Sequence, residues 1–231
     1  MNNRTELENI IGYTFNNKNH LRLALTHSSY ANENDMCKYA HNERIEFLGD
    51  AVLELISSDF LFKEYPNMQE GDMTKLRSKL VCEDALSYFA KQIGLGRFLY
   101  LGKGEEHTNG RERKSILCDA FESLIGAIYI DGGMEAATKF VKRFVLSDIE
   151  QKMYMFDSKT TLQEMVQARY GVGVVYKVID ESGPEHNKSF KIAVYIKDKL
   201  MGEGFGHSKK EAAKEAAYQT ILMLNSTDDR G

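Results

Sequence analysis

The chain has 231 residues, enough for one fair-sized core and a second small domain, and its 30 Lys and Arg against 34 Asp and Glu leave a net charge of −4. Taken whole, that balance opposes a grip on a phosphate backbone, and no apolar run approaches the roughly 18 residues of a membrane span. Three cysteines without Cys-x-x-Cys spacing, and a first segment Met1 to Glu6 without an apolar signal core, predict a soluble, cytoplasmic protein with reduced thiols.

The predicted elements begin with two short helices over 5–15 and 19–30, patterned by Leu7, Ile10 and Ile11 and by Leu21, Leu23, Ala24 and Leu25. Thr26 to Ser29 close the second, and His27 reads as a hydrogen-bonded structural residue. A longer helix then runs from His41 to about Lys63, where Tyr65-Pro66-Asn67 stops it. At about 100° per residue, Glu43, Glu46, Asp50 and Glu54 share one side of it, while Ile45, Leu48, Val52, Leu55 and Ile56 share the other. Acids three and four apart repel by roughly 0.2–0.5 kcal/mol per pair, so a merely solvated face would interleave Lys. Something positive must meet this row, a basic element or a metal ion. Gly49 in mid-helix marks a close approach. Phe47 falls on the acid side; an aromatic there is covered either by another helix of the same chain or by a partner.

Glu70 to Thr74 form a turn into a helix with Leu76, Leu80 and Val81 on its apolar side, and Glu83 to Ile93 form another that ends at Gly94. Residues 101–114 are polar and carry glycines, which predicts a mobile loop whose Arg111, Arg113 and Lys114 are either solvated or available to phosphates. Residues 115–130 are apolar around most of a helix, yet Asp119 and Glu122 lie one turn apart on it with no base within a turn. Two unpaired carboxylates in an apolar setting cost several kcal/mol or protonate. Asp131-Gly132-Gly133 then breaks the chain, and a last helix runs over 134–153.

Two helices that each present carboxylates at helical spacing can face one another and hold hard divalent cations by oxygen alone. That donor set suits Mg²⁺ or Mn²⁺ rather than zinc, and the Glu-x-x-His pairs of a di-iron bundle are missing. An acid-only site with room for substrate oxygens suits phosphoryl chemistry.

From Asp157 the texture changes to α-β-β-β-α. A helix over Thr160–Tyr170 precedes three β-branched and aromatic runs, Val174–Ile179, Ser189–Ile196 and Lys199–Phe205, with Lys197-Asp198 as a tight hairpin. Ser208 caps an Ala-rich helix that continues to about Leu224. Residues 157–226 carry ten Lys and Arg against nine Asp and Glu, and residues 1–156 carry 19 against 23, so the acid is concentrated in the first part.

Asn42-Glu43-Arg44-Ile45-Glu46-Phe47-Leu48-Gly49-Asp50 resembles the signature of the ribonuclease III family, and the order of features resembles its bacterial members over nearly the whole chain. Gly206-His207-Ser208-Lys209-Lys210, opening the Ala-rich helix, resembles a double-stranded-RNA-binding domain. The resemblance implies an all-α endonuclease domain over 1–153, a linker at 154–156, a small α+β RNA-binding domain over 157–226, and a disordered tail at 227–231. It implies hydrolysis of double-stranded RNA, ribosomal and other structured precursors included, leaving 5′-phosphate and 3′-hydroxyl ends. Glu46, Asp50, Asp119 and Glu122 would ligate Mg²⁺, with Mn²⁺ as a substitute; Asp50 and Glu122 would be catalytic, and Glu43 and Glu70 accessory acids. Gln163, Glu164, His186, Ser208, Lys209, Lys210 and Lys214 would contact RNA. A homodimer would form through the acid-rich helix, with Phe47 in the interface. One departure stands out: where many such domains place a third Lys, this chain has Ala213, with Lys214 one position later. The rival readings are a double-stranded-RNA-binding protein without catalysis, which should have lost a core carboxylate, and a DNA-binding or metal-storage protein, which leaves the C-terminal module unexplained.

Overall fold

The computed structural model describes residues 3–184 and 188–228, and the chain divides after Ser147 into two compact units. In the first unit, α1 (Asn3–Ile11) is followed by two helices, α2 (Lys18–Ala24) and α3 (Ser28–Glu33), where one was expected. The break has a long-range cause. Tyr100 N donates to Leu25 O (2.8 Å) and His27 N donates to Tyr100 O (3.1 Å), which pulls Thr26 out of helical geometry, and the His27 side chain then accepts from Ser29 N to cap α3.

Helix α4 (Glu43–Glu64) buries Ile45, Val52, Leu53 and Ile56; α5 (Glu70–Leu80) and α6 (Glu83–Gln92) follow, and Gly94 ends α6 in the left-handed conformation. Leu55, assigned by period to the apolar back of α4, is 57% exposed instead, and Phe62 is 71% exposed. The expected loop over 101–114 is ordered: it holds the short helix α7 (Lys103–His107), whose first N–H groups meet the Glu33 carboxylate, and a 3₁₀ turn at Gly110–Glu112. Helix α8 (Lys114–Phe144) runs through the predicted break but kinks there, because Gly133 takes φ 74° and ψ −174°. Asp131, beside the kink, accepts from Tyr13 Oη (2.7 Å) and from the N–H groups of Asn16 and Asn17 (2.8 Å each), tying the segment before α2 to α8. Phe89, Phe121, Phe140 and Phe144 form a ladder of ring contacts through this unit.

The second unit opens with α9 (Ile149–Phe156), so Tyr154–Phe156, expected as a linker, are helical, and Tyr154 packs on the second unit's core. It continues with α10 (Ser158–Tyr170), the antiparallel meander β1 (Val175–Ser182), β2 (Ser189–Ile196) and β3 (Lys199–Gly206), and α11 (Lys209–Asp228). Lys197 and Asp198 both have positive φ (49° and 59°), as a two-residue hairpin matching strand twist requires. Leu162, Val166, Ile192, Val194, Ala216 and Ile221 form the core between sheet and helices. The two units together give the predicted order, a helical domain followed by α-β-β-β-α.

Candidate active site

The acidic helices meet backbone to backbone. A Cβ added to Gly49 would lie 1.9 Å from the carbonyl oxygen of Glu122, and one added to Gly126 would lie 2.4 Å from that of Ile45. Only hydrogen fits at these two points, so α4 and α8 cross closer than side chains normally permit. The crossing is pinned at its end by Ser123 Oγ, which donates to Asn42 O (3.4 Å), and by Asn42 N, which donates to Thr26 O (2.8 Å). Glu46 and Asp50 flank Gly49 on one helix; Asp119 and Glu122 stand on the facing stretch of the other.

Their electrostatics follow from that crowding. Burial first, then the charges of Asp119, Glu43 and Asp50, push the Glu46 carboxyl up to about 7. Burial, then Asp50, Glu46 and Asp119, push Glu122 up to about 8. Asp119 is also raised, by burial above all, while the nearby His27 opposes the shift. Among the described residues, no Lys or Arg forms an ion pair with any of these four acids. Four mutually repelling carboxylates, three of them half-buried, fit a hard divalent cation: charge and donors match what Mg²⁺ or Mn²⁺ accepts.

The row along α4 does not continue to Glu54, which pairs with Arg77 of α5 at 3.1 Å; of the two expected kinds of positive partner, a basic element or a metal ion, a Lys or Arg meets only this last acid among the described residues. Glu43 is exposed and acts on Glu46 and Asp119 through its charge. Glu70 opens α5, where Thr74 Oγ1 donates to it (3.1 Å), and no described contact joins it to the four. Two neighbours were not singled out from the sequence. Glu83, the first residue of α6, raises Asp119 by its charge. Cys118 Sγ donates to Glu122 Oε1 at 3.9 Å, and burial holds its thiol well above the usual range. His27 is the hydrogen-bonded structural residue expected, with Ser29 Oγ 2.8 Å from its Nδ1. The three cations singled out in 101–114 are engaged within the unit: Arg111 with Glu106 and the carbonyls of Gly96 and Leu99, Arg113 with Glu105, Lys114 with Asp84. Phe47 is 81% exposed, so no other described helix of the chain covers it.

In the second unit, Ser208 Oγ accepts from Glu211 N (3.1 Å) and Glu211 Oε2 accepts from His207 N (2.9 Å), a variant of the capping box at the start of α11 in which the carboxylate reaches one residue before the N-cap. Lys209 sits 3.4 Å from Glu181 and over the Phe190 ring; Lys210 is exposed. Ala213 is 5% exposed, a core residue, and Lys214 lies over the Phe156 ring instead of continuing the lysine pair. Gln163 Oε1 accepts from Val174 N (3.2 Å), Glu164 is exposed, and His186 lies outside the described residues.

A helical domain with facing carboxylates that could hold a divalent cation, followed by an α-β-β-β-α module with a lysine-bearing helix start, has the make-up of a nuclease domain joined in sequence to a duplex-binding domain. The comparisons agree: a Ribonuclease-III-like family model matches residues 17–149 and a double-stranded RNA binding motif matches 158–224. The chain is 45% identical to Ribonuclease 3 of Listeria innocua over 226 residues (97% of this chain, 99% of the relative) and 46% identical to that of Pelotomaculum thermopropionicum (94% and 92%). Its fold is similar to the nuclease domain of ribonuclease III from Campylobacter jejuni, with a TM-score of 0.58 and 41% identity over 63% of this chain and 95% of that one. The chain belongs to the ribonuclease III family of endoribonucleases. No helix among the described residues is long and apolar enough to cross a membrane.

Proposed function

We propose that this endoribonuclease hydrolyses double-stranded RNA at the α4/α8 crossing with Mg²⁺, for which Mn²⁺ substitutes, leaving 5′-phosphate and 3′-hydroxyl ends. The observation that carries the reading is the set Glu46, Asp50, Asp119 and Glu122, four carboxylates that no Lys or Arg pairs with among the described residues. A divalent cation there would supply Lewis acidity, lowering the pKa of a water so that it can give up a proton and attack phosphorus near neutral pH, and offsetting charge on the scissile phosphate. The chain's part is to hold the donors in place: the glycine crossing fixes the span between the helices, and Ser123 and Asn42 hold their register. Asp50, exposed, and Glu122, half-buried, line the approach of the phosphate and are assigned the catalytic roles; Glu43 and Glu70 are accessory acids.

Lys209, Lys210 and the two amides of α11 left free by the capping box are assigned to RNA phosphates, with Gln163, Glu164, Ser208, Lys214 and the loop containing His186 at the edges of the duplex contact. A second copy of the chain would cover Phe47; one C. jejuni structure concerns a region involved in dimer formation of its nuclease domain. Nuclease and RNA-binding domains are assigned to 1–153 and 157–226, and the work is the cytoplasmic processing of ribosomal and other structured RNA precursors. The test is incubation of the purified protein with a long RNA duplex and with single-stranded RNA, each with Mg²⁺, Mn²⁺ or EDTA. Cutting of the duplex alone, dependent on the cation and yielding ends that a 5′-phosphate-dependent exonuclease degrades, is expected; equal cutting in EDTA would overturn the reading.

A further inference from the structure

Beside the four carboxylates, the centre holds one more donor that they leave unused. Cys118 is 8% exposed and stands one turn before Glu122 on α8, so its thiol is buried, as free cysteines commonly are. It faces the acids: Sγ is 3.9 Å from Glu122 Oε1, and the ligand atoms of Cys118, Asp119 and Glu122 all fall within 4.8 Å of one another. Filling space does not require sulfur on this helix, since Ala120, Ser123 and Ala127 serve at neighbouring buried positions. A hard cation such as Mg²⁺ takes oxygen and gains nothing from a thiol, whereas cations of the zinc and cadmium class bind thiolate and carboxylate together.

We infer that Cys118, with Asp119 and Glu122, forms a mixed sulfur and oxygen site for thiophilic divalent cations, so that such an ion displaces Mg²⁺ and withdraws two of its carboxylates. On binding, the Sγ–metal bond forms as the Sγ–H proton leaves to solvent, and no oxidant or reductant takes part. This deepens the proposed function and rests on its assignment of Asp119 and Glu122 as metal ligands.

The experiment uses the full chain carrying Cys37→Ser and Cys82→Ser, which removes the two exposed thiols that would also take the ion. Titration with Cd²⁺ in the absence of RNA should raise an ultraviolet sulfur-to-cadmium charge-transfer band that saturates at one ion per chain. Adding Cys118→Ser should abolish the band and weaken Cd²⁺ binding by about tenfold or more, with Mg²⁺ binding by calorimetry unmoved. Cys118→Ala should do the same, and circular dichroism shows which of the two variants is folded. A band that survives both substitutions, or Cd²⁺ binding of undiminished affinity in a folded variant, overturns the role of the sulfur and leaves the carboxylate reading standing. If Glu122→Gln alters neither Cd²⁺ nor Mn²⁺ binding, the carboxylate reading itself falls, and this inference with it.

Discussion

Glu122 and Glu46 take up protons more readily in the folded chain than in the unfolded one, because burial and three neighbouring acids oppose their charge. The sign of the pH effect follows. Their folded-state values, about 8 and about 7, lie above the unfolded value of 4.5, so their stabilising contribution is complete below pH 4.5 and is lost as pH rises through 7 to 8. In EDTA the melting temperature should therefore fall between pH 5 and pH 8, and the fall should be shallower in Glu122→Gln; identical pH slopes for the two proteins would show that Glu122 is not in this environment. Mg²⁺ should remove most of the decline, since a cation that binds only the folded state stabilises it by mass action. For catalysis the same substitution has the opposite value: single-turnover cleavage should drop by roughly 10²-fold or more, several kcal/mol of lost transition-state stabilisation, while a gel shift shows unchanged duplex affinity. Higher Mn²⁺ should restore part of the rate. These acids were legible in the sequence because like charges at helical spacing have no structural excuse. Cys118 and Glu83 were not: a cysteine on an apolar helix reads as core, and an acid opening a helix reads as a partner of the helix dipole.

The crossing of α4 and α8 makes an unusual demand on two positions. Alanine in place of glycine within a helix ordinarily gains about 1 kcal/mol. Gly49→Ala should instead cost about 1–3 kcal/mol by overpacking, since its Cβ would lie 1.9 Å from a main-chain oxygen that cannot rotate away. Gly71→Ala supplies the contrast: nothing lies within 4 Å of its Cβ on exposed α5, and it should be neutral or stabilising. Urea titrations of both variants decide it, and similar effects for the two would mean that the helices do not touch at Gly49. At this scale the periodicity of apolar residues identified most helices and all three strands, and the break at Gly133 appeared as a kink. The division of α2 from α3 was hidden because its cause, Tyr100, lies far along the chain, and the order of 101–114 was hidden because arginines that bind nearby carboxylates look the same in sequence as arginines awaiting phosphate.

For the molecule as a whole, exposed apolar area and charge set the expectations. Phe47, Leu55 and Phe62 on α4 leave a face that a lone copy does not cover. Phe47→Ala should shift the sedimentation profile toward monomer at nanomolar concentration, and a variant that stays wholly dimeric would remove Phe47 from the interface. Deleting residues 148–231 should weaken duplex binding and flatten its salt dependence, because every phosphate that the shortened chain no longer neutralises lowers the log–log slope by roughly one. Cation-dependent cutting at low salt should persist, and undiminished cutting at physiological salt would contradict the role given to the second unit. The net charge of −4 misleads unless it is divided, since the acid gathers in the first unit around a centre that calls for cations. Why Ala213 stands where a third lysine is common is visible only in the fold: the position faces the core.

The backbone contact between α4 and α8 also has a history in time. Glu46 and Glu122 are far apart along the chain, and at roughly 5–20 residues per second of synthesis the first helix waits several seconds for its partner. Through that interval Gly49 lies bare and the apolar back of α4 has nothing to pack on, so the helix is marginal by itself and its aromatic residues are open to chance encounters. The centre cannot close around a cation until α8 has been made, and α11, with its lysines, is made later still. A nascent chain therefore acquires its cutting geometry before its grip on duplex RNA, and it passes through its most aggregation-prone stage with neither.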